Sequence, residues 1–172
     1  MVEIFIQSFF LYFVVIDPIG SAPIFFVVTK NLNLNGKVKT AFNSTLIAFL
    51  VLIFFAVLGN YIFNHLSITF SALKIAGGII LFLVSLEMLF NKRRERKEED
   101  ANFDSDNISV FPLAIPLLAG PAAIISVVVS VSNIGGNYIN QIIGISSLLL
   151  VMVITFVAFF IVSRFEKIVK EK

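Results

Sequence analysis

An all-α protein that crosses a membrane five times is the fold this sequence predicts, and three observations carry that expectation. Of 172 residues, 58% are hydrophobic, more than a soluble chain of this length can bury. The apolar residues gather in five runs, at about 4–29, 41–63, 70–90, 110–132 and 141–163. Each run is close to the ~20 residues that cross ~30 Å of hydrocarbon as a helix, the form that satisfies its own backbone within lipid. The cations alternate with the runs. Of the 13 Lys and Arg residues, all but Lys74 follow the first run (Lys30, Lys37, Lys39), the third (Lys92, Arg93, Arg94, Arg96, Lys97) or the fifth (Arg164, Lys167, Lys170, Lys172). Cationic loops are retained in the cytoplasm, so the N-terminus is expected outside and the C-terminus inside, in a multi-pass protein of the inner membrane.

The first run has no basic residue before it, only Glu3, and its apolar character continues to Thr29. It reads as a retained span rather than a signal peptide. The second run is a plain apolar helix with Asn43, Ser44 and Thr45 near its cytoplasmic end, and the third contains Gly77 and Gly78, assigned to helix packing. Lys74 is expected to snorkel outward, and Glu87 to pair with the nearby basic run. The stretch 91–109 begins basic and turns acidic, the pattern of a solvated loop. The fifth run is apolar apart from its Ser and Thr residues. Tyr61 and Tyr138 sit at outer span ends, suited to the headgroup belt. His65 has no second ligand near it, and the absence of Cys excludes disulfides and thiolate metal sites. The net charge of +2 conceals opposing blocks and gives no reason to expect nucleic acid. The expected partner is the bilayer itself, whose anionic headgroups meet the basic loops.

The first and fourth runs carry the chemistry. Asp17 lies near mid-depth in Asp17-Pro18-Ile19-Gly20-Ser21-Ala22-Pro23, where an ionised carboxylate costs ~2.5–3.5 kcal/mol on insertion scales. Asp17 reads as an N-cap with Pro18 at the first helical position, so a half-helix begins inside the membrane. Pro23 removes one more backbone donor, and Gly20, Ser21 and Ala22 permit close approach of another helix. The fourth run repeats the interruption with Pro112, Pro116 and Gly120-Pro121, followed by Ala122 and Ala123. Interrupted helices at matching depths in two halves of a chain point to a transporter binding site. Half-helix N-termini favour an anionic group, whereas Asp17 favours a cation or a proton. A purely architectural kink is the competing reading of either break.

These stretches, together with Leu73-Lys-Ile-Ala-Gly-Gly-Ile-Ile-Leu-Phe82 and Phe111-Pro-Leu-Ala-Ile-Pro-Leu-Leu-Ala-Gly-Pro121, resemble the MarC family of integral membrane proteins over essentially the whole chain. The resemblance implies two three-helix repeats of opposite orientation, similar to LysE-type exporters. On that pattern residues 1–91 form the first repeat, 92–109 a charged cytoplasmic loop, and 110–172 a second repeat of two helices and a basic tail. The sixth span that the resemblance implies has no counterpart before Lys172, so the second repeat is expected to be incomplete. Self-association into homo-oligomers is one way to cover the face left open. The matching motifs give Asp17, Pro18, Gly20, Pro23, Pro116, Gly120 and Pro121 as candidate ligand-binding residues, with no catalytic residue, metal or cofactor. The expected function is export or secondary transport of a small solute. The alternatives are a membrane scaffold that binds a partner through 91–109, or an inactive truncated relative. An intramembrane enzyme is disfavoured, because no HExxH, GxSxG or phosphate loop occurs and Asp17 has no base or nucleophile beside it.

Overall fold

The computed structural model describes residues 1–65, 69, 71, 72, 75, 79, 82, 83, 86, 105–133 and 138–170. Expectations for Lys74, Gly77, Gly78, Glu87 and most of the 91–109 loop lie outside the described residues. Among the described residues there is no strand. The helices are α1 (Val2–Ile16), α2 (Pro18–Thr29), α3 (Leu34–His65), a single turn α4 (Ser105–Ile108), α5 (Pro121–Asn133) and α6 (Tyr138–Lys170), with a wider-wound segment, Ser109–Leu118, between α4 and α5. Three stretches are long and apolar enough to cross a membrane: Val2–Thr29, which takes in α1 and α2, Leu34–Gly59 and Tyr138–Arg164. A fourth is bent by 55° where Ser109–Leu118 meets α5.

Two boundaries differ from the sequence reading for local reasons. The second span starts as a helix at Leu34 rather than near residue 41, because Asn33 caps it. The Asn33 side-chain oxygen accepts from Gly36 N at 2.7 Å, and its carbonyl accepts from Lys37 N at 2.9 Å, which satisfies donors that a helix start leaves open. The fourth span departs from the helix that its hydropathy predicts. Phe111 and Ile115, the residues before Pro112 and Pro116, are extended at φ −128°, ψ 127° and φ −129°, ψ 125°. A residue before proline is pushed out of the helical region, and two such pairs four residues apart disrupt every turn. Both X–Pro bonds here are cis. Ala119 N instead donates to the Ala114 carbonyl five residues back, at 2.8 Å.

The packing runs through α6, which contacts α1, α2 and α3. Ser147 Oγ donates to the Phe5 carbonyl at 3.2 Å. Further along, Phe25 and Phe159, both fully buried, stack with centroids 4.3 Å apart and planes 12° apart. The α1–α2 stretch and α6 therefore run in the same direction. Phe42 meets Phe156 edge-on at 6.1 Å, which places the start of α3 beside the far half of α6 and makes these two antiparallel. The α3 helix also contacts α4, Ser109–Leu118 and α5, and Gly59 near its end faces Val128 of α5.

These pairings define two ends. One gathers the end of α2, the start of α3 and the last third of α6, and with them Lys30, Lys37, Lys39 and Arg164. Lys37 is buried there, its Nζ 5.9 Å from the centre of the Phe26 ring. The other end holds the start of α1, the end of α3 and the start of α6. Among the described residues it carries Tyr61, His65 and Tyr138 but no Lys or Arg. Tyr61 and Tyr138 are exposed, and Tyr61 stacks on His65 at 5.8 Å.

Gly59 is a close-approach position. A β-carbon there would collide with one methyl of Val128 and sit 3.4 Å from the other, and Val128 is itself buried. Small residues that let helix backbones approach are a principal source of association within lipid. Gly59→Ala is expected to cost about 1–3 kcal/mol through overpacking. Val128→Ala in the same chain should recover most of that loss, because the two sites share one contact. Thermal unfolding of the single and double variants in detergent checks this; equal losses that simply add would contradict it.

Candidate functional site

Asp17 interrupts the first span as its sequence suggests. It is the only described non-glycine residue with positive φ, at φ 48°, ψ 71°, a left-handed conformation that Asp tolerates better than most residues. It closes α1, its N–H donating to the Phe13 carbonyl at 3.0 Å, and opens α2, its carbonyl accepting from Ser21 N at 2.9 Å. Its Oδ1 accepts from Gly20 N at 2.9 Å, and Pro18 occupies the first helical position, where its missing N–H leaves nothing unsatisfied. Gly20 is needed because a β-carbon there would run into the Asp17 carboxylate. Pro23 lies inside α2, and Ser21 Oγ donates to the Pro18 carbonyl at 3.3 Å.

The second break is built from backbone alone. Gly120 precedes Pro121, the first residue of α5, and its carbonyl accepts from Ile124 N at 3.0 Å. This matches the Asp17–Ser21 bond at the start of α2. A β-carbon at Gly120 would come within 2.5 Å of the Pro116 carbonyl oxygen, so the preceding segment can fold back only against glycine. The start of α5 has no acid to match Asp17.

The two interrupted stretches lie side by side and antiparallel, because α1 contacts α5 while α2 contacts Ser109–Leu118. One hydrogen bond marks their register, Ser8 Oγ to Ser130 Oγ at 3.3 Å. Asp17 is nine residues along from Ser8, and Gly120 ten residues back from Ser130. At 1.5 Å per helical residue the breaks stand ~13.5 Å and ~15 Å from that bond, on the same side of it. They therefore share a depth to within about one residue.

Burial divides the candidates. Pro18, Pro116 and Gly120 are buried, Pro121 is half-buried, and Asp17, Gly20 and Pro23 are exposed. Among the described residues the Asp17 carboxylate accepts only from Gly20, although an ionised carboxyl has about four acceptor positions. No described group of acidic or His side chains could hold a metal. Sequence reasoning missed Ser8, Tyr12, Ser130 and Gly59. Isolated Ser residues and a lone Gly in apolar helices give no signal until their partners on other helices are known.

The capping geometry sets an order of stability at position 17. Asp17→Asn retains both the acceptor and the tolerance for left-handed φ and should stay within a few tenths of a kcal/mol of the parent. Asp17→Gly frees the backbone but loses the cap. Asp17→Ala loses the cap, about 0.5–2 kcal/mol, and adds ~1 kcal/mol for a β-carbon at left-handed φ. Unfolding midpoints in detergent should fall in the order Asp and Asn, then Gly, then Ala; an Ala variant as stable as the parent would contradict the capping role.

The sequence profile described as MarC family integral membrane protein matches residues 2–172. A UPF0056 membrane protein of Archaeoglobus fulgidus is 37% identical over 153 residues, covering 87% of this chain and 72% of its own length. Another UPF0056 membrane protein, from Methanocaldococcus jannaschii, is 34% identical over 143 residues, covering 80% and 70%. A third, from Aquifex aeolicus, is 32% identical over 130 residues, covering 73% and 61%. No solved structure matches the chain. A match that takes in both breaks and all three long apolar helices leaves one conclusion: the chain belongs to the MarC family of integral membrane proteins.

Proposed function

We propose that the protein is a secondary transporter that exports a small polar or amphipathic solute through the inner membrane, with the paired breaks as its binding site. The observation that carries this reading is the Asp17 carboxylate. It is exposed, at the level of both breaks, with one acceptor position used by Gly20. A carboxylate at mid-membrane is costly, and such residues mark solute, ion or proton paths. Its chemistry favours a solute with a cationic or hydrogen-bond-donating group, or a coupling cation or proton. Of the other candidates, Pro18, Pro116 and Gly120 are buried and Gly20 and Pro23 are exposed beside Asp17.

The proposed topology has five crossings within residues 1–172, with an inverted repeat that relates the two interrupted stretches. Two observations support it. The interrupted stretches run antiparallel, as inversion requires. His65 and Ser105 border opposite ends of the bundle, as a crossing between them requires. The end that collects Lys30, Lys37, Lys39 and Arg164 is read as cytoplasmic, leaving the N-terminus outside.

Reconstituted proteoliposomes test the reading by flux of a panel of small amines, amino acids and neutral polar solutes. Asp17→Asn, which preserves the cap, is expected to lose most of the flux or its dependence on an ion gradient without losing stability. Parent-like coupled flux in this variant would remove the carboxylate from the mechanism.

A further inference from the structure

The contact between α1 and α5 is polar where lipid-embedded helices are usually apolar. Ser8 and Tyr12, one turn apart on α1, are 4% and 1% exposed. The Ser8 hydroxyl meets Ser130 at 3.3 Å, and the Tyr12 phenol is directed at the same Ser130 side chain. On the other flank of α1, Ser147 Oγ divides between the Phe5 carbonyl at 3.2 Å and its own Ile143 carbonyl at 3.0 Å, which pins α1 to α6. The Ser8–Ser130 bond is long for a pair of hydroxyls, whose usual separation is about 2.7–2.8 Å. Interhelical hydrogen bonds within membranes are on average weak. A long bond between the buried Ser8 and the half-buried Ser130 hydroxyl can be exchanged for water at little cost.

Its position gives the contact a role. The seam lies between the two breaks and the end of the bundle where α1 begins, and closes the α1–α5 contact there. On the other side of the seam, Asp17 and Gly20 are exposed. We infer that Ser8, Tyr12 and Ser130 form a gate, closed in this structure, that seals the amino-terminal end of the pathway when the site is accessible from elsewhere. The inference rests on the transport reading of the breaks and adds the element that controls access to them. Opening exchanges the two contacts at Ser130 for water, which can solvate every hydroxyl involved.

The chain contains no Cys, so an introduced thiol reports alone. In sealed proteoliposomes, the Ser130→Cys thiol should react slowly with a membrane-impermeant maleimide applied from the amino-terminal side. Adding Tyr12→Phe should speed that reaction about fivefold, equivalent to ~1 kcal/mol of lost closure. Oxidising the Ser8→Cys/Ser130→Cys pair to a disulfide, verified by mass, should abolish solute flux, with recovery on reduction. A thiol that never reacts, a rate indifferent to Tyr12→Phe, or measurable flux that is equal in the oxidised and reduced pair would overturn the gate. The two readings separate cleanly. A parent chain without flux whose thiol still responds to Tyr12→Phe loses the transport reading and keeps the gate. Flux with an inert seam does the reverse.

Discussion

Within hydrocarbon every backbone donor and acceptor must find its partner inside the protein, and the rest of this structure follows from how two interrupted spans meet that demand. At the first break the answer is a side chain. Asp17 turns left-handed and offers its carboxylate to Gly20 N–H, so α2 starts inside the bundle with a satisfied donor. At the second break the answer is backbone and glycine. Ala119 bonds five residues back to Ala114, and Gly120 lets the chain fold against the Pro116 carbonyl. Both half-helices then begin with proline, whose missing N–H is absent where no acceptor would be available for it. The breaks are thus alike in geometry and different in charge, and the difference is Asp17.

The packing makes this pair more than two separate kinks. The antiparallel run of the interrupted stretches and the Ser8–Ser130 contact bring the breaks to one level. The Phe25–Phe159 stack and the Gly59–Val128 approach fix α2 and α5 against long continuous helices. Two long helices, α3 and α6, thus frame two short half-helices, the arrangement that the proposed transport reading requires.

Much of this was legible in the sequence, because the strongest signals were local. Asp-Pro in an apolar run announces a cap and a first helical turn. The distribution of Lys and Arg predicts which span ends share a side, and Lys30, Lys37, Lys39 and Arg164 do share one. The early start of α3 was also written locally, in Asn33 three residues before Gly36, but polar residues outside the apolar run masked it. The non-helical course of Ser109–Leu118 could have been read from Phe-Pro and Ile-Pro four residues apart, since each restricts the residue before it; a hydropathy window does not see backbone geometry. The Ser8–Ser130 pair and the Gly59 contact were beyond sequence reasoning, because each depends on the register between helices distant in the chain.

The central claim is that the two breaks occupy one depth at the middle of the bilayer. Nitroxide labels placed singly at Ile19 and Ala122, both exposed and each beside a break, measure it directly by power-saturation EPR with oxygen and a polar relaxer as paired depth probes. The predicted result is two labels near mid-bilayer whose depths agree within one helical turn, about 5.4 Å. Labels separated by more than a turn, or one at the headgroups while the other is central, would contradict the account.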